Sequence, residues 1–269
     1  MSGLKKTIFC FLIMMYGLGL QDAWAELTHQ QAKDLVKKAY SGDSTALQTL
    51  QQAAEQNDGM AEEWLGVYFR SKNDYPDSFN WTQKAAAQGN PEAQGDLGYM
   101  YHDGLGVTKD DAQAIAWLQK AVNQDNAEAE NSLGTLYASG SGVPKDYAKA
   151  ISLFQKAAKN EYSLAPGNLG DMYYFGRGIS KDYYQAFNWY QKGANLGDPY
   201  SEYALAYSYE KGQGVTQNDE EALLWYEKAA NDGNIDAMKR LSDAYGGGEL
   251  GLTVNLEKEG FWYTKAYEH

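Results

Sequence analysis

Residues 91–122 read PEAQGDLGYMYHDGLGVTKDDAQAIAWLQKAV, and the fold follows from how this stretch is patterned. Ala93, Leu97 and Tyr101 recur every fourth position, the stripe of one helix face. Gly104 ends that run as a left-handed helix stop, and Gly106 follows two residues later. Asp110 then stands where its side chain can cap a second helix. That helix is predicted to bury Ala114, Trp117, Leu118 and Ala121. Small residues at fixed places let the two helices approach closely. Neither helix can bury its stripe alone.

The stretch is repeated. Leu97-Gly98 returns as Leu133-Gly134, Leu169-Gly170 and Leu205-Ala206, each 36 residues after the last. The same step carries Tyr101 to Tyr137, Tyr173, Tyr209 and Tyr245, and Gly104 and Gly106 to their counterparts through Gly212 and Gly214. It carries Ala114 to Ala150, Ala186 and Ala222, Lys120 to Lys156, Lys192 and Lys228, and the cap to Asp146, Asp182 and Asn218. Trp117, Trp189 and Trp225 share a slot that Leu153 fills in the remaining unit, and all three Trp are expected in the core. A period of this length is the signature of stacked repeats, each burying its neighbour's open face. Weaker copies flank the four: 61–90, with a shortened loop, and 235–269, with one residue inserted. Residues 26–60 supply one more helix pair, split at Ser41-Gly42-Asp43, as a terminal cap. The expected fold is all-α, a solenoid over 61–269 with units near 61–90, 91–126, 127–162, 163–198, 199–234 and 235–269.

With Leu97, Gly98, Tyr101, Gly104, Gly106, Ala114 and Trp117 as its frame, this pattern resembles the Sel-1-like repeat family, a branch of the tetratricopeptide-like helical repeats. The resemblance implies a right-handed superhelix whose concave face binds other proteins. Related members act as adaptors in bacterial envelopes, signalling, host interaction and secretion systems. Some exported members are similar to inhibitors of lipase effectors, so an immunity protein neutralising such an effector is an alternative. Cysteine-rich members have been described as β-lactamases, a further alternative from which this chain departs because it has one Cys, Cys10.

Lys5 and Lys6, an apolar run over Thr7–Leu20 and Ala23-Trp24-Ala25 read as a secretory signal over residues 1–25. The run is shorter than the ~20 apolar residues of a bilayer crossing. Cleavage near Ala25 predicts a periplasmic or secreted chain with no integral membrane segment. It would remove Cys10 and take the net charge from −13 to −14, with 21 basic against 35 acidic residues. Such a chain makes no disulfide and lacks the basic footprint of a nucleic-acid binder.

No chemistry-bearing constellation stands out. His29, His102 and His269 lie apart, with no metal-binding spacing, so neither a metal nor a cofactor is expected. Glu62-Glu63 and Asp219-Glu220-Glu221 read as solvated first turns of helices, where negative charge is favoured. Ser208-Tyr209-Glu210-Lys211 has the S-x-x-K spacing of penicillin-recognising enzymes but lacks their companion triplets. The protein reads as non-catalytic.

Binding residues should be those the frame does not need. By the resemblance, first-helix positions two before, two after and five after the Leu face the groove. These give Gly95, Tyr99 and His102; Asn131, Thr135 and Ala138; Gly167, Asp171 and Tyr174; Tyr203, Tyr207 and Glu210; and Lys239, Asp243 and Gly246. Phe175 and Tyr200 adjoin the row. Tyr174, Phe175, Tyr200, Tyr203 and Tyr207, rimmed by Asp171 and Glu210, form the densest group, and Tyr suits a binding surface by offering rigid area plus a hydroxyl. The expected partner is a protein, either an envelope protein or a toxin effector.

Overall fold

The computed structural model describes residues 26–267, which hold fourteen helices and no strand. The export segment expected at residues 1–25 lies outside the described residues, as does His269. The chain falls into two compact units divided after Asp110.

The first unit carries α1 (His29–Tyr40), α2 (Ser44–Ala54), α3 (Gly59–Ser71), α4 (Tyr75–Ala87) and α5 (Pro91–Asp103). Consecutive helices pack on each other, and α1 also touches α3. Thr28 opens α1 with a capping box to Gln31, and Asp43, Asp58, Asp74 and Asn90 cap the next four helices. Val36, Leu50 and Leu65 centre its core.

The second unit carries α6 (Asp111–Val122), α7 (Ala127–Ser139), α8 (Tyr147–Lys159), α9 (Leu164–Phe175), α10 (Tyr183–Asn195), α11 (Pro199–Lys211), α12 (Asp219–Asn231), α13 (Ile235–Gly247) and α14 (Leu256–Tyr267). Here too each helix packs on the next, in the repeating pairs of an all-α solenoid. The repeat Leu of each first helix, Leu133, Leu169, Leu205 and Leu241, is fully buried, contributing about 1.5–3 kcal/mol apiece.

The loops inside the pairs are built alike. The first repeat Gly ends each first helix in the left-handed conformation, as at Gly212, φ 62°. The chain then turns so that the N-cap N–H of the second helix donates to the carbonyl of the repeat Tyr. Asp110 to Tyr101, Asp146 to Tyr137, Asp182 to Tyr173, Asn218 to Tyr209 and Asn255 to Tyr245 span 2.8–3.0 Å. Asp146, Asp182 and Asn218 also accept the expected first-turn N–H bonds through their side chains. The second Gly serves the neighbour. At Gly214, φ 78°, an added Cβ would lie 2.1 Å from the Tyr183 carbonyl oxygen in the preceding pair, and Gly106 meets Tyr75 at the same distance. A close approach of a different kind occurs at Gly170, where a Cβ would lie 2.3 Å from the Tyr190 ring.

Three expectations need correction. Trp117, Trp189 and Trp225 are half-buried rather than core. The deep slot belongs to the next residue, Leu118, Phe154, Tyr190 and Tyr226. A half-exposed Trp is instead roofed by the repeat Lys one turn on. Lys120 lies 3.5 Å over Trp117, Lys192 5.0 Å over Trp189 and Lys228 5.7 Å over Trp225, with Lys84 repeating the contact over Trp81 at 3.9 Å. Secondly, Glu62 and Glu63 are buried, not solvated. Gln88 and Asn90, at the end of the same repeat, each donate to one of them at 2.7 Å, and desolvation raises both pKa values. The equivalent Glu130 and Glu202 are also buried and pair with the repeat lysines Lys156, at 3.1 Å, and Lys228. Thirdly, the position two before the Leu is buried at Gly95, Asn131 and Gly167 rather than facing a groove; Asn131 there accepts from Asn168 at 2.8 Å.

Candidate functional site

The site is carried by α9, α10 and α11. Gly176 ends α9 just after Phe175, which leaves Asp171, Tyr174 and Phe175 on its last turns. Asp198 caps α11 by accepting from the Tyr200 and Ser201 N–H groups, which fixes Tyr200 in the first turn with Tyr203 and Tyr207 following. Gly167 and Gly193 let this start come close, for a Cβ on either would crowd Ser201. Across the gap α10 presents Tyr190 from the deep slot of its repeat.

These elements enclose a cavity of about 180 Å³ lined by Asp171, Tyr174, Phe175, Tyr190, Tyr200, Tyr203, Ala204 and Tyr207. Its walls are largely aromatic rings, with Tyr174 edge-on to Phe175 at 4.8 Å between centroids. Its polar centre is Asp171. One carboxylate oxygen, Oδ1, accepts from the Tyr190 hydroxyl at 2.8 Å and the Tyr200 hydroxyl at 2.7 Å. The other, Oδ2, receives no hydrogen bond from a described residue. Burial raises the Asp171 pKa, and the two tyrosyl bonds and the charge of Arg177 offset this only in part. Burial and the facing carboxylate likewise push the Tyr190 and Tyr200 hydroxyls up, so they remain donors. Arg177 is exposed and stacks on Phe175 at 4.6 Å.

Six of the residues singled out from the sequence therefore meet: Asp171, Tyr174, Phe175, Tyr200, Tyr203 and Tyr207. Three do not. Tyr99 and His102 sit on α5 in the first unit, where His102 Nε2 lies 3.9 Å from Asp103. Glu210 is buried one helix pair further on, with Tyr226 donating to it at 2.7 Å, Lys211 at 2.6 Å, and Arg240 through two nitrogens at 3.0 and 3.1 Å. Burial alone would raise its pKa, but these bonds overcome that and hold it at about 2. It borders a separate polar cavity of about 570 Å³ with Arg240, Asp243 and Glu249.

Tyr190 and Arg240 were missed by the sequence reading. Tyr190 was hidden because its slot looks like pure framework; the signal was a hydroxyl appearing there, in Tyr190 and Tyr226, in the two repeats whose first helices carry Asp171 and Glu210, where the two preceding repeats have Leu118 and Phe154. Ser208 is buried and gives its hydroxyl to the Ala204 carbonyl at 2.8 Å, while Lys211 is held by Glu210, so S-x-x-K forms no nucleophile pair here. Among the described residues no group of three or more His, Cys, Asp or Glu could hold a metal ion. No described helix is long and apolar enough to cross a membrane.

The Sel1 repeat model matches the chain six times, at residues 59–90, 91–126, 127–162, 167–198, 199–234 and 235–269. No curated protein matches it. Among solved structures, a Sel1 repeat protein from Oxalobacter formigenes is 33% identical with a TM-score of 0.81, over 90% of this chain and 99% of that one. A protective antigen of uropathogenic Escherichia coli strains with an SLR fold is 30% identical with a TM-score of 0.58, over 90% of this chain and 64% of its own. An immunity protein from Pseudomonas aeruginosa, 22% identical with a TM-score of 0.55 over 72% and 74%, shares the fold. The repeat frame, its loops and these matches agree: the chain belongs to the Sel1 repeat family.

Proposed function

We propose that the protein is a non-catalytic binding scaffold, exported through residues 1–25, that takes a segment of a partner protein at the α9–α11 cavity. One observation carries the reading: five aromatic side chains outside the repeat frame converge with a desolvated carboxylate in a single opening. Aromatic anchors of this kind supply most of the energy at the centres of protein interfaces. The test is affinity purification from native envelope extract, with a Tyr203→Ala/Tyr207→Ala double variant as control. A partner captured by the wild type and lost from a variant of unchanged helical circular dichroism is the expected result. Equal capture by both, or collapse of the helical signal, overturns it.

A narrower reading, an immunity protein neutralising a secreted effector, is favoured by the acidic surface, which suits a basic toxin. An effector gene beside this one would support it, and deletion that left cells fully resistant to such an effector would end it.

A further inference from the structure

The repeat symmetry lets one pair of helices predict what another lacks. On α11, Glu210 accepts from Tyr226 of the following helix and from Arg240 of the next repeat. On α9, in the repeat before, Asp171 accepts from Tyr190 of its following helix, although it stands at the repeat position of Tyr207, one helical turn before that of Glu210. Tyr190 and Tyr226 occupy the same repeat position, 36 residues apart. Arg240 and Ala204 also occupy one position, 36 residues apart, and Ala204 lines the cavity. The cavity at Asp171 therefore opens at the repeat position from which, one repeat later, a resident arginine reaches its carboxylate.

From this correspondence we infer that the cavity receives an arginine side chain of the partner segment, whose guanidinium binds Asp171 as Arg240 binds Glu210. The inference rests on the binding-scaffold reading and names the chemistry of its central contact. Size agrees: about 180 Å³ is below the roughly 300–1,000 Å³ of drug-sized ligand sites, and suits one side chain. The free oxygen, Asp171 Oδ2, is available to a new N–H donor. Tyrosine rings and Phe175 offer faces on which a planar, weakly hydrated guanidinium stacks, whereas a strongly hydrated ammonium loses more on entering. Arg177 does not fill the role, since it acts on Asp171 only through its charge and spends its guanidinium on Phe175.

The probes are acetylated, amidated tripeptides Gly-Xaa-Gly with arginine, citrulline or lysine at the centre, titrated into the full mature chain and followed by NMR. Arginine is expected to bind with a Kd near the millimolar range, about tenfold tighter than citrulline, and to shift resonances of the cavity residues. Asp171→Asn, which keeps an acceptor for both tyrosines, is expected to abolish that preference. Ala204→Arg is expected to block the probe by filling the cavity from within, and to raise the thermal midpoint. Citrulline or lysine binding as well as arginine, no arginine binding, or binding unchanged in Asp171→Asn would each overturn the inference. A natural partner lost from the Tyr203→Ala/Tyr207→Ala variant but indifferent to Asp171→Asn would remove the arginine and leave the scaffold reading intact.

Discussion

Glu210 and Asp171, in successive repeats and one helical turn out of register, are the same idea carried out twice with opposite electrostatic results. Both are carboxylates on a first helix, and both accept from a tyrosine in the deep slot of the second helix. Glu210 also has Arg240 and Lys211, and its pKa falls to about 2. Asp171 has tyrosines but no cation bonded to it among the described residues, and its pKa rises. Two hydroxyl donors and the charge of Arg177 do not offset the burial of Asp171; bonds from Arg240, Lys211 and Tyr226 do so for Glu210. One cluster is closed and holds α11 to α13, while the other stands open between α9 and α11.

The comparison can be broken most severely at Glu210. Glu210→Ala leaves Tyr226 without an acceptor and Arg240 with Glu249, 2.8 Å away, as its remaining partner, and a loss of about 2–3 kcal/mol is expected in denaturant unfolding. A smaller loss would mean that Glu210 does not hold the end of the second unit.

Acid sharpens it next. A carboxylate with a folded pKa near 2 and an ordinary unfolded value stabilises the fold fully above the unfolded pKa, and that stability disappears as pH falls through the folded one. Stability should therefore drop on acidification between the unfolded carboxylate range and about pH 2, and the drop should be shallower in Glu210→Gln. Identical acid limbs would refute the linkage.

Asp171→Asn tests the opposite sign with the smallest effect. Its folded pKa is raised, so ionisation costs stability as pH rises through that value. The variant is expected to be more stable than the wild type at pH 7, by about 1 kcal/mol, and to lose the advantage at low pH. Destabilisation at pH 7 would show the carboxylate to be a structural requirement rather than an open site.

What could be read from the sequence followed what recurs. Leu97, Tyr101, Gly104 and Asp110 are fixed by contacts inside one helix pair, so their 36-residue rhythm exposes both helices and their loop. Six of the cavity residues were also legible, five because they are aromatic and lie outside the rhythm and Asp171 because it stands at a groove position beside them. The deviations arise where a side chain answers to a partner beyond its own helix. Glu62 and Glu63 look like solvated first-turn acids until Gln88 and Asn90 arrive 26 and 27 residues later. Glu210 looks like a rim charge until Arg240 arrives 30 residues later. A period reports what all repeats share and averages away such individual pairings. The Trp slot failed for a different reason: hydrophobicity favours Trp117 for the core, yet Lys120 covers the ring well enough for it to stay half-exposed.

The second loop glycine has an evolutionary consequence. Gly106 on Tyr75, Gly142 on Asp111, Gly178 on Tyr147 and Gly214 on Tyr183 make the same seam with the pair before them. The joints are thus interchangeable, and recombination can insert or delete a whole 36-residue unit while every remaining joint still fits. Recognition has no such freedom. The Asp171 cavity draws on particular residues of two successive units, so a crossover between them would keep the array and erase its specificity.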